Sequence, residues 1–376
     1  MSAAHPHDKS YKVDCDLVSW LRSRDKADFP QRTDYVVQFD RLRAEIDKIL
    51  PDVGAASAVA EAQKLIREGK TNPEEVLYLT NHGEQHVDQV IQRATDILND
   101  SNCGLSPYEG YILLAAILFH DVGNIFGRKD HAEKGQEIMN ALGRVAGTDA
   151  VEKRLIIKIA VAHQGSFGGS KDTISRLQDE DILGKRVRER LLAAILRFAD
   201  ELADDCSRAS RYMFEADRIP ESSVIFHAYS ASLNSVRVEQ GEIRLRFHLD
   251  EEQAIRKYLK NGQPTFLLDE INGRVLKMHR ERMYCMRFMR PYVDNEISRI
   301  RVDITVFAPV KELTGRDDFC KKSLFEEERI QYILAEGGYP ECPDASFLEH
   351  CSEKNYRTTG AEMKSKLETK RSMRNV

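Results

Sequence analysis

Tyr111-Ile112-Leu113-Leu114-Ala115-Ala116-Ile117-Leu118-Phe119-His120-Asp121-Val122-Gly123 is the stretch on which the fold turns. Its first nine residues are apolar on every side, so a helix there has no face to give to water and must lie inside other helices. Ser106-Pro107 just upstream reads as the helix start, Ser as N-cap and Pro at the first helical position. The apolar run then stops at an imidazole and a carboxylate side by side. Two such groups at the polar end of a buried helix can turn toward one cation, and the packed helix behind them holds both still. Taken alone, His-Asp before a glycine is equally the signature of a capping carboxylate.

Outward from this stretch, residues from about 13 to 210 carry helical periodicity nearly throughout. Asp14 or Asp16 can cap a helix over Leu17–Arg24, and Asp34–Leu50 ends at Pro51. Ala55–Glu68, Val87–Leu98, Ala132–Leu142, Val151–His163 and Val187–Asp205 complete the array. Trp20, the lone tryptophan, reads as core. Further candidate ligands sit at the ends of these helices. His86 opens one, with Val90 one turn on along the same face, and His82 lies one turn earlier as its rival. His131 starts another helix in His131-Ala132-Glu133-Lys134-Gly135. His163 closes a helix before a Gly/Ser loop, where a capping histidine is the plainer alternative. Asp200 follows the apolar run Leu191–Ala199, with Asp204 one turn beyond it.

The order His86, His120-Asp121, His131, His163, Asp200 resembles the HD superfamily of metal-dependent phosphohydrolases. The resemblance covers about residues 80–210 and implies a metal set of His86, His120, Asp121, His131, His163 and Asp200. The His131 element is similar to one in HD-GYP cyclic-dinucleotide phosphodiesterases, where the His serves a second metal. It is also similar to one in deoxynucleotide triphosphohydrolases, where the His is catalytic. Ala132 departs from both patterns, no Gly-Tyr-Pro triplet follows, and Asn124 stands where triphosphohydrolases carry another His.

Imidazole and carboxylate ligands without thiolate suit Mn, Fe, Co, Ni or Zn, and six candidates suffice for two ions. Such ions would deprotonate a water for in-line attack on phosphorus. Asp121 then belongs to the catalytic group, and His82 or His131 would supply the leaving group's proton. Substrate phosphates need cations, for which Arg128, Lys129, Arg208 and Arg211 lie close in sequence to the candidate ligands. The expected function is hydrolysis of a phosphoester bond in a nucleotide, of phosphodiesterase type. The alternatives are a deoxynucleoside triphosphohydrolase and a catalytically silent nucleotide sensor.

Near Ser210 the pattern changes. Val224–Tyr229, Val236–Glu239 and Ile243–Leu249 read as strands of an antiparallel meander, with Gln240-Gly241 as a turn. Helices over Glu251–Leu259 and Phe266–Met289 and a strand at Ile300–Phe307 follow. Met278, Met283, Met286 and Met289 read as core. Ser323–Ala335 reads as helix, and the polar Ser352–Val376 as a disordered tail. The expected class is therefore mainly α: an all-helical HD domain with a C-terminal α+β addition. Its parts would be a helical segment at 1–79, the HD domain at 80–210, an α+β accessory domain at 211–310, a helical segment at 311–351 and the tail at 352–376. The accessory domain should tune substrate choice or self-association.

At 376 residues the chain can bury a large core. A net charge of −5 supplies no global field for nucleic acid. Seven scattered cysteines without a Cys-x-x-Cys pair read as reduced thiols. No run approaches the roughly 20 apolar residues of a membrane span, and the N-terminus has no apolar signal core. A cytoplasmic protein with a nucleotide substrate, no membrane contact and a possible homo-oligomeric state is expected.

Overall fold

The computed structural model describes residues 9–49, 84–123, 131–166, 168–203, 221–309, 324–343 and 358–374. The expected helix over Ala55–Glu68 lies outside them. Helices α1 (Leu17–Arg22), α2 (Tyr35–Ile49), α3 (Glu84–Ser101), α4 (Pro107–Phe119), α5 (His131–Ala141), α6 (Ala150–Ala162) and α7 (Glu189–Leu202) form the N-terminal array. Two short antiparallel pairs, β1 (Tyr11–Lys12) with the distant β2 (Gly104–Leu105) and the hairpin of β3 (Glu180–Ile182) with β4 (Lys185–Val187), interrupt what the sequence reads as helical nearly throughout.

Every residue of α4 is buried, and α1, α2, α3, α6 and α7 pack around it. Its start is a reciprocal cap: Ser106 accepts from the Glu109 amide, and Glu109 accepts from the Ser106 amide. Gly110 lets the Trp20 ring approach so closely that a Cβ there would sit 2.6 Å from Cζ3. Asp16 caps α1 by accepting from the amides of Val18 and Ser19. On α3 the face Val87, Val90, Ile91, Ala94, Ile97 and Leu98 is buried.

After residue 220 come α8 (Glu221–Ser232), β5 (Leu233–Glu239), β6 (Glu242–Asp250), α9 (Glu251–Ile255), β7 (Lys257–Lys260), β8 (Gln263–Phe266), α10 (Leu267–Met289), β9 (Arg299–Pro309), β10 (Leu324–Leu334) and α11 (Gly360–Arg374). The sheet runs β10-β9-β6-β5. β5 and β6 pair antiparallel around Gln240-Gly241, both at positive φ. β9, however, joins β6 parallel, so the antiparallel β5–β6 pair expected from the sequence sits in a mixed sheet closed by a crossover.

Four further expectations are corrected. Val224–Tyr229 is helical, within α8, because Ile225, Ala228 and Tyr229 are buried at helical spacing; a short apolar run carries no period of its own. The helix expected over Glu251–Leu259 stops at Ile255, since Asn261-Gly262, both at positive φ, folds the following residues into the β7–β8 hairpin. The stretch Ser323–Ala335 holds strand β10: Ile330, Tyr332 and Leu334 are buried while Gln331 and Ile333 are exposed, a period of two that outweighs helix-favouring glutamates. The expected disordered tail contains α11, where Met363 and Leu367 at i, i+4 are fully buried, Arg371 binds Glu251 and the Gly360 amide donates to Asp269.

The boundary expected at 210 does not separate two cores. One apolar cluster runs through both regions. α10 packs on α7, and β5 packs on α3, where Arg93 donates to the Val236 carbonyl at 3.0 Å. The four methionines of α10 are buried, as expected. Among the described residues no helix is long and apolar enough to cross a membrane.

Candidate metal centre

The C-terminal ends of α4, α6 and α7 and the N-terminal turn of α3 meet at one place, and each brings a candidate ligand. His86 comes from α3, His120 and Asp121 from the end of α4, His163 from the cap of α6, and Asp200 from α7. The Nε2 atoms of His86 and His120 stand 3.2 Å apart, and Asp200 Oδ1 lies 3.2 Å from the first and 3.7 Å from the second. Asp121 Oδ2 lies 3.8 Å from His86 Nε2 and 3.6 Å from His120 Nε2. Its other oxygen, Oδ1, faces His163 Nε2 at 3.6 Å. His86, His120 and Asp121 form a buried group whose ligand atoms all lie within 4.8 Å of one another.

These distances fit a cation. Two nitrogens each about 2.1 Å from one ion, at coordination angles of about 90–110°, lie roughly 3.0–3.4 Å apart. Ring orientation agrees: His120 Nδ1 donates to the Ile117 carbonyl at 2.7 Å, leaving Nε2 as the lone-pair nitrogen aimed at its neighbours. His163 Nδ1 makes the same contact with the Ala160 carbonyl. Both bonds reach one turn back along the residue's own helix, so a histidine at a helix end is oriented by local backbone.

Charge points the same way. Burial opposes protonation of His120, yet Asp121 and Asp200 outweigh it and raise its pKa to about 9. Burial would raise the pKa of Asp200, but bonds from His120 and His86 hold it well below the usual carboxylate range. A buried cluster that draws a proton onto an imidazole is short of positive charge, and a divalent ion answers that need. The imidazoles of His86 and His120 are fully buried, whereas the Asp200 side chain keeps 28% of its surface exposed. Asp200 is thus the most exposed member of the cluster among the described residues.

Asp200 lines a cavity of about 450 Å³ with Glu201, Phe226, Tyr229, Lys260, Glu270, Arg274 and Lys277. Lys277 pairs with Glu201 at 2.6 Å, and Glu270 takes both Lys260 at 2.6 Å and Arg274 at 2.8 Å. The Arg274 guanidinium stacks 4.3 Å from the centre of the Tyr229 ring. Behind this wall, Arg197 on α7 forks onto Glu281 of α10 at 2.8 and 2.9 Å and donates to Thr173 Oγ1 at 2.7 Å. Thr173 in turn donates to the Ala162 carbonyl at 2.6 Å, so the loop after His163 is tied to both helices.

Five of the residues expected from the sequence are thus brought together: His86, His120, Asp121, His163 and Asp200. His131 is the first residue of α5, and its side chain lies outside the described residues, as do His82, Arg128, Lys129, Arg208 and Arg211. Sequence reading missed the cavity wall. Its trace was a charged stripe on α10, Glu270, Arg274 and Lys277, at i, i+4 and i+7.

No curated protein and no solved structure matches the chain. A family model described as HD-CE matches residues 76–274, more than half of the 376 residues, and so includes every ligand of the cluster and most of the cavity wall. By that match the chain belongs to the HD-CE family and carries an HD-type domain.

Proposed function

We propose that the chain is a metal-dependent phosphohydrolase acting on a phosphoester bond of a nucleotide. The observation that carries this reading is the double position of Asp200. Its Oδ1 faces both His86 and His120, and the same side chain lines a cavity of about 450 Å³. That volume suits a nucleotide-sized ligand.

His86, His120, Asp121 and Asp200 would hold one divalent transition metal, and His163 with the Asp121 Oδ1 edge would help hold a second. The split of the two Asp121 oxygens between these imidazoles supports a shared carboxylate and two ions. Bound ions supply Lewis-acid polarisation of the phosphoryl group and acidification of water. The chain's own contribution is placement: helix-end carbonyls fix the imidazoles, and the packed α4 removes water from their rear. Arg274, Lys277 and Lys260 supply cationic donors in the cavity, and the half-buried Phe226 supplies an apolar ring for a base. His131 or His82 is the proposed source of the leaving group's proton, and Arg128, Lys129, Arg208 and Arg211 are proposed additional phosphate contacts.

The test joins metal analysis to a substrate panel. Metal-supplemented protein is incubated with cyclic, linear and triphosphate nucleotides, and products are separated by chromatography. Expected are bound transition metal, one class of phosphoester cleaved, and loss of both metal and turnover in His120→Ala and Asp121→Ala, the rate falling at least about 10²-fold. Full metal occupancy in both variants would falsify the metal assignment. Tight nucleotide binding without turnover across the panel would replace hydrolysis by sensing.

A further inference from the structure

The sheet turns one face to the apolar core and leaves the other outside. Ile243, Leu245, Phe247, Val302 and Ile304 are buried on the inner side, so their strand neighbours point outward. That outer face carries Arg237 on β5, Arg244 and Arg246 on β6, Arg299 and Arg301 on β9, and Arg329 on β10. The carboxylates on it among the residues with described side chains are Glu239, Glu242 and Asp303, with Asp250 turned away at the strand end to cap α9, and Glu326 of β10 stands opposite Phe307 in the strand register. Six guanidiniums against four carboxylate positions make a basic field in a chain whose net charge is −5.

The register organises these groups. Arg237 lies opposite Arg244, and Arg244 opposite Arg301, so a row of guanidiniums crosses three strands spaced about 4.8 Å apart. Glu242, only 1% exposed, binds Arg244, Arg299 and Arg301 at 2.7 to 2.9 Å. One carboxylate cannot use all the donors of three forks, so guanidiniums are held in place with donors left over. Arg237 and Arg246 are exposed. At the far end of the same face, His248 and Phe307 meet edge to face with centres 5.2 Å apart.

We propose that this sheet face binds single-stranded nucleic acid, its phosphodiester backbone crossing the arginine rows and a base resting on the His248–Phe307 pair. Oriented guanidiniums with rings beside them are what a flexible polyanion with flat bases needs. A lipid surface fits less well, because Ile333 and Phe307 are the apolar side chains offered and Ser235 and Gln331 lie between the charges. The inference is independent of the proposed hydrolysis, since none of these residues lines the metal centre or its cavity.

The experiment measures anisotropy of labelled single-stranded RNA and DNA of about 20 nucleotides against the full chain across a salt series. Expected is binding at low salt that weakens steeply as salt rises, with Arg237→Glu/Arg246→Glu losing at least about tenfold in affinity. Phe307→Ala is expected to lose at least about fivefold, the measure of one lost stacking contact. The control Arg22→Glu/Lys48→Glu carries the same charge change on exposed residues of α1 and α2 and should lose less than a third as much. Thermal melts confirm that each variant is folded. The inference is overturned by no binding at low salt, by equal loss in the control, or by unchanged affinity of folded Phe307→Ala. It is also overturned if polyglutamate or anionic phospholipid vesicles bind this face as tightly as the nucleic acids. Comparing RNA with DNA then identifies the preferred strand.

Discussion

The helical array before residue 203 and the α+β layer after 221 meet around the same cavity, but they place their side chains by different means. In the array, His120 and His163 are oriented by carbonyls three residues back along the chain. In the layer, orientation comes from pairs far apart in sequence: Arg197 to Glu281 across 84 residues, and Lys277 to Glu201 across 76. The orientation of the candidate ligands is therefore encoded locally, and the cavity wall exists only when the two regions are folded together.

The strongest way to break this comparison is to separate them. A chain ending at residue 210 keeps the five candidate ligands but loses α10, which covers α7, and leaves the Arg197 guanidinium without Glu281. Loss of that apolar cover and of a buried ion's partner is expected to abolish cooperative unfolding. A sharp calorimetric transition and full metal content in the truncated chain would show that the array stands alone. The single-residue version is Glu281→Ala in the full chain, which strands the buried Arg197. Its expected cost is about 3–5 kcal/mol by denaturant unfolding. A loss within error would mean that Thr173 and the Lys171 carbonyl satisfy Arg197 without the carboxylate.

The same contrast explains what the sequence discloses. The His120-Asp121 pair was legible because an apolar helix without a polar face has to be central, and polar groups at its end have to be there for a reason. His86, His163 and Asp200 were legible through the same setting, a histidine or aspartate where a helical pattern starts or stops. The six sheet arginines were not: they are spread from 237 to 329, and only strand register gathers them against an acidic average. Strand β10 was misread because its glutamates favour helix locally while its burial obeys a period of two. The Asn261-Gly262 turn signal outweighs the helical pattern that runs up to Leu259, and the hairpin forms there. α11 needed only Met363 and Leu367 to dock, fewer apolar residues than composition leads one to require.

A gentler probe leaves the fold intact and asks whether the wall binds substrate. Arg274 and Lys277 line the cavity and pair with Glu270 and Glu201, neither of which is among the five candidate ligands. Replacing either by alanine should raise KM about tenfold, the value of one charge-assisted hydrogen bond, with little change in kcat. A fall in kcat at unchanged KM would place the residue's effect in the transition state and blur the division between a wall that binds and an array that reacts.

The smallest expected effect lies in the sheet, where Glu242 is a long-range hub rather than a helix-end group. The Arg301 fork, against the cost of burial and with help from Arg244 and Arg299, lowers its pKa from 4.5 to about 2. A carboxyl depressed in the folded state adds stability above its unfolded pKa, and the gain is lost as pH falls through the folded one. The window here runs from 4.5 down to about 2. The full shift overstates the worth, because Arg299 and Arg301 are nearly half exposed and solvent screens them, so about 1 kcal/mol is expected. Glu242→Gln keeps the shape and removes the charge. Its stability gap from the parent, measured by denaturant unfolding at closely spaced pH values, should be constant above about pH 5 and close steadily as pH falls through that window. A gap that stays the same at every pH would mean that the arginines value Glu242 for its hydrogen-bond geometry alone, and that the layer, like the array, is held by bonds rather than by charge.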